Sequence, residues 1–86
     1  MNQFIKVYKT VDIILVAYLL THGFKYHRTK LRHNKAEFFF DESEELLQAV
    51  KDYYSGNDLT SAKAFEQNIR AIQALAYSIK TAEEVD

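Results

Sequence analysis

The chain has 86 residues, 48% of them hydrophobic and 27% charged, with two Gly, no Pro and no Cys. That is apolar material for one small core, and it excludes a disordered chain, a disulfide scaffold, a cysteine-ligated zinc site and a thiol nucleophile. The formal net charge is −1, yet residues 1–40 sum to +5 and residues 41–86 to −6, so the two halves are electrically opposed.

The opening QFIKVYKT mixes β-branched and aromatic residues with charge and predicts a short strand ending near Thr10. Thr10 is then the expected N-cap of a helix, with Asp12 in the first turn. Val11, Ile14, Leu15, Tyr18 and Leu19 form one apolar stripe, and Ile13, Val16, Ala17 and Leu20 widen it almost all round. A helix apolar on most sides belongs at the centre of its domain. The run Val11–Leu20 is about half the length that crosses a bilayer and contains Asp12, so no membrane span is expected. Gly23 is the expected stop. The N-terminus lacks the pattern of a signal peptide, and with no Cys in the chain the expected compartment is the cytoplasm.

Next comes FKYHRTKLRHNKAEFFF, in which five Lys/Arg precede three consecutive Phe. Its HNK segment has turn chemistry. A two-residue turn at Asn34 and Lys35 predicts a hairpin that pairs Leu31 with Phe38, Arg32 with Glu37 and Arg28 with Asp41. Leu31, Phe38 and Phe40 then share the core face, and Phe39 turns outward. Phe24 and Tyr26 have the wrong parity for that face and need a bulge or another burial site.

DESEELLQAVKDYYSG predicts a helix opened by a capping-box pattern at Asp41 and Glu44 and closed by Gly56. NDL connects it to a last helix, starting at Thr60 or Ser61 and ending near Lys80. Phe65, Ile69, Ile72, Ala76 and Ile79 form its apolar stripe. The expected fold class is therefore α+β: short strand, helix, β-hairpin and two helices, with a three-stranded sheet backed by helices. Residues 1–80 read as a single domain and residues 81–86 as an acidic, fraying tail.

Tyr8-Lys9-Thr10-x-Asp12, then Leu15, Ala17, Leu19, Leu20 and Gly23, begin a pattern that continues with Phe38-x-Phe40, Tyr53-Tyr54 before Gly56, and Tyr77. In these residues the chain resembles a family of small uncharacterised bacterial, phage and plasmid proteins, which often carries Trp where Tyr54 stands here. The resemblance implies a mobile-genetic-element origin and brings no assigned activity or site residue.

The chemistry-bearing residues are weighed against plainer roles. His27 and His33, on one predicted strand, are roughly 20 Å apart, and His22 ends a helix; no shared metal is expected. Acids in DESEE suit a helix N-terminus without any catalytic role. No phosphate loop or nucleophile motif is present, so neither an enzyme nor a cofactor is expected. The basic hairpin is the strongest signal, although Lys and Arg on an edge strand also simply block aggregation.

Two functions are carried forward. The first is an inhibitor-like or counter-defence module that binds a partner protein. It would use the hairpin residues Lys25, Tyr26, Arg28, Lys30, Arg32, Lys35 and Phe39, or the acidic helix start Asp41, Glu42, Glu44 and Glu45. The overall acidity places this reading first. The second is a nucleic-acid-binding accessory protein using the hairpin at residues 25–35. Cations spent on salt bridges favour the first reading, and cations projecting together into solvent favour the second. Self-association is open to it as well, through the last helix or the opposed charges.

Overall fold

The computed structural model describes residues 6–56 and 62–84. The elements are β1 (Val7–Thr10), α1 (Ile13–Thr21), β2 (Tyr26–Arg32), β3 (Lys35–Asp41), α2 (Glu44–Ser55) and α3 (Ala62–Glu84). The strands form one antiparallel sheet in the order β1-β3-β2, so the Phe-rich strand lies in the middle. The expected α+β class and the three-stranded sheet backed by helices are what the chain forms. The NDL connector and the cap at Thr60 or Ser61 lie outside the described residues.

Alternation along the strands sorts the sheet into two faces. Phe38 and Phe40 of β3 point to the helices and join Leu15, Val16, Tyr18, Leu19, Leu46 and Ile72 in the core. Tyr8 packs against the same core. Its neighbours Val7 and Lys9 have the opposite parity and are exposed. Helix α1 is central, with Leu15 through Leu19 all buried, as its all-round apolar character requires. Tyr18 ties the helical layer together: its ring meets Tyr53 of α2 at 5.2 Å and Phe65 of α3 at 6.2 Å. The stripe of α3 is used at home, since Ile72 is buried and Phe65, Leu75, Ala76 and Ile79 pack on the core.

The caps differ from expectation by a residue or two. Asp12, not Thr10, caps α1: its Oδ1 accepts from the amides of Ile14 and Leu15, both at 3.1 Å. Thr10 Oγ1 instead accepts from Asp12 N, which holds the cap in place. Ser43 caps α2 in place of the box at Asp41 and Glu44, accepting from Leu46 N at 3.0 Å. Both shifts have one cause: a carboxylate or hydroxyl caps best two or three residues ahead of a free amide, and in each segment a second capping residue stands closer to the helix.

Helix α1 ends at a left-handed glycine. Gly23, at φ 92°, donates to Leu20 O, and Phe24 donates to Leu19 O. This is the double bond pattern that closes helices at such glycines. No atom lies within 4 Å of where a Gly23 Cβ would sit, so a substitution meets only backbone strain. Gly23→Ala is expected to cost about 1–2 kcal/mol in a urea titration and Gly23→Asn less, because Asn visits left-handed conformations more readily.

Candidate functional site

The hairpin turn sits at His33 and Asn34, with φ of 49° and 69°, not at Asn34 and Lys35. A two-residue turn of this kind needs positive φ at both centres, and His and Asn accept that better than Lys. Moving the turn back one residue shifts each partner by two. Arg32 now faces Lys35, Leu31 faces Ala36, Lys30 faces Glu37, Thr29 faces Phe38 and Arg28 faces Phe39. A two-residue shift preserves parity, so Leu31, Phe38 and Phe40 keep the face expected of them.

The register decides where the charges go. Arg28, Lys30 and Arg32 of β2, Lys35 of β3 and Lys9 of β1 share the sheet face opposite the described helices, and all five are exposed. Two carboxylates share it. Glu37 is 5% exposed and accepts from Arg32 Nη1 at 3.3 Å; Asp41 stands 3.2 Å from His27 Nε2. The expected Arg28–Asp41 pair does not form. The Arg28 guanidinium instead lies 4.4 Å from the centre of the Phe39 ring, a cation–π contact. Among the described residues, Arg32 is the one cation of the five in a salt bridge.

Two aromatic expectations are corrected. Phe39 does belong to the outer face, but it is 8% exposed, not open. Its cross-strand neighbours are Lys9 and Arg28, whose long stems can cover an aromatic ring while their charged ends stay wet. Tyr26 is not beside the cations. A bulge between Tyr26 and Arg28 reverses parity and turns Tyr26 inward, edge-on to Phe38 at 5.1 Å. Lys25 is exposed just ahead of β2.

Lys9 is the site residue that sequence reasoning missed. The alternation of VYKT marks it as outward, but only the sheet order sets it beside β3, opposite Phe39. Arg32 and Lys35 face each other directly at the hairpin end. Like charges placed so are unfavourable in a sheet, and nothing in the packing requires them. The acidic residues gather elsewhere: Glu44 and Glu45 are exposed in the first turn of α2, and Glu42 N donates to Lys6 O. His22, His27 and His33 fall at a helix end, a bulge and a turn. Among the described residues no three potential metal ligands group together, and no helix is long and apolar enough to cross a membrane.

A second cluster forms at the far end of β1. Tyr54 Oη donates to Asp12 Oδ2 at 3.2 Å, fastening the end of α2 to the start of α1. The hydroxyls of Tyr8, Tyr53 and Tyr54 all titrate above the usual tyrosine value, first through desolvation and then through the Asp12 charge; Tyr54 is pushed up to about 12. Below pH 10 both folded and unfolded chains keep these protons. From 10 upward the unfolded chain releases them first, so the stability the cluster gives is lost as pH climbs through the folded values. Urea midpoints are expected to hold steady up to about pH 9.5 and fall beyond it, with a shallower fall in Tyr54→Phe. Tyr54 is 62% exposed, so its share of the effect is small.

The fold and this face together define a small α+β domain whose sheet is packed by helices on one side and, among the described residues, presents a basic face on the other. The chain belongs to the family described as Domain of unknown function (DUF5659), whose model matches residues 5–78. That span takes in every residue of the basic face and the Asp12 cluster. No curated protein and no solved structure matches the chain.

Proposed function

We propose that this domain is a non-enzymatic nucleic-acid-binding protein that acts through the uncovered face of its sheet. The observation that carries the reading is the grouping of Lys9, Arg28, Lys30, Arg32 and Lys35 on one exposed face, with four of the five in no salt bridge among the described residues. Five cations against Glu37 and Asp41 make this face a patch of positive potential on a chain that is acidic overall. Phosphates of a nucleic-acid backbone are neutralised there and release their counterions. Phe39 lies at the centre of the patch beneath Arg28. A base reaches it once Arg28 turns to a phosphate, so one side chain serves as cover in the free protein and contact in the complex.

The origin we propose is a mobile genetic element of bacteria, and the place of action the cytoplasm. A partner protein held by the same cations, or by the acidic start of α2, is the competing reading, favoured by a net charge of −1. Glu37 separates the two. It is a buried carboxylate set among the cations, and it occupies Arg32. Glu37→Gln frees Arg32 and removes one repulsive charge, and is expected to tighten single-stranded DNA binding severalfold, read by fluorescence anisotropy at low salt. Unchanged or weaker binding in a folded Glu37→Gln variant counts against a nucleic-acid face.

A further inference from the structure

Strand β1 leaves β3 at the Thr10–Phe38 pair, and the chain turns through Val11 and Asp12 into α1. Among the described residues, Lys35, Ala36 and Glu37 of β3 consequently have no strand beside them on that side. Two cavities open at the resulting notch. One, of about 480 Å³, lies on the basic side and is lined by Lys9, Arg32, His33, Lys35 and Glu37. The other, of about 300 Å³, lies on the helix side, where Ile13, Ala36, Ala76 and Tyr77 form its walls and Lys80 its rim. Val11 and Lys35 line both, so the two cavities share a ridge. Tyr77 is 73% exposed and Val11 40%.

We infer that this notch binds one unpaired nucleotide of a single strand, its phosphate in the cationic cavity and its base across the ridge against Tyr77. The inference rests on the proposed nucleic-acid reading and gives it a preference among nucleic acids. A nucleotide is a ligand with one anionic half and one flat, largely apolar half, and the notch has one wall for each. Lys9, Arg32 and Lys35 converge on the phosphate from three strands, and Lys80 stands where the backbone of a neighbouring nucleotide runs. An exposed tyrosine beside an apolar recess offers a base a stacking surface without demanding a particular sequence. Bases paired inside a duplex cannot cross the ridge, so the notch discriminates between single strands and duplexes while the remainder of the basic face does not.

The test compares wild type, Tyr77→Ala, Tyr77→Phe and the joint Ala variant of Arg28, Lys30 and Arg32, each with a labelled oligothymidylate strand and a labelled duplex. Tyr77 is largely exposed, so Ala there leaves the fold intact. The expected result is a loss of roughly tenfold in strand binding for Tyr77→Ala, within the range of one lost stacking contact, with duplex binding unchanged and Tyr77→Phe close to wild type. Equal strand binding by wild type and Tyr77→Ala, with the triple variant still impaired, overturns the notch and leaves the nucleic-acid face standing. Wild type that binds neither strand nor duplex at low salt overturns both.

Discussion

Changing Arg28, Lys30 and Arg32 together to Ala is expected to weaken nucleic-acid binding roughly 100-fold at about 0.1 M salt. Each phosphate contact on a single strand contributes about 0.7 to the slope of log affinity against log salt, which at that concentration is close to fivefold in affinity. Three lost contacts multiply to the figure given. The three side chains lie on one strand, exposed, on the face turned away from the main core cluster. Their loss should leave the urea midpoint little changed apart from two contacts: Arg28 over Phe39 and Arg32 with Glu37. An unchanged affinity in the folded triple variant removes the face from any role in binding.

The second large effect is on folding. Phe38 is fully buried at the centre of the sheet, and Phe38→Ala is expected to cost about 3–5 kcal/mol, from lost burial and the cavity left behind. A domain of this size has a total stability of roughly 4–13 kcal/mol, so the variant loses between about a quarter and all of it. Its neighbour provides the contrast. Phe39 shows almost as little surface to solvent, but it lies outside the main core cluster and beneath the flexible Arg28 side chain, so the site is expected to close in when the ring is removed. Phe39→Ala is expected to cost about 1–2 kcal/mol. Urea unfolding of the two variants side by side reads out the sidedness of the sheet. Equal losses would mean that the outer face is as firmly packed as the inner.

Much of this architecture was legible because it is local. The apolar run of α1, the stop at Gly23 and the alternation at Phe38 and Phe40 each follow from spacing within a few residues. The pairing of β2 with β3 was harder, because HNK offers two overlapping two-residue turns and both place Leu31, Phe38 and Phe40 on one face. Only the demand for positive φ at both turn residues separates them, and it favours His33 and Asn34. The burial of Phe39 followed from that choice, since the true register sets Arg28 opposite its ring. The parity of Tyr26 already calls for a bulge or another burial site, and the bulge at His27 is what forms; it takes Tyr26 away from the cations with which the sequence reading groups it. Lys9 was invisible for a different reason: its membership of the face depends on β1 pairing with β3 across the whole hairpin, a long-range fact that no local pattern carries. The same holds for the residues behind the family resemblance. Asp12 and Tyr54 are 42 positions apart in sequence, and only the fold brings them together in this chain, as a cap and the hydroxyl that fastens it.

The most direct test of the basic face is the salt dependence of single-strand binding by the wild-type domain, measured by anisotropy from about 20 to 300 mM. Three to five phosphate contacts predict a line of slope between about −2 and −3.5 when log affinity is plotted against log salt, flattening by about 2 in the triple variant. Absence of binding at the lowest salt, or an affinity that salt does not change, would contradict the account and turn attention to a protein partner for the same surface.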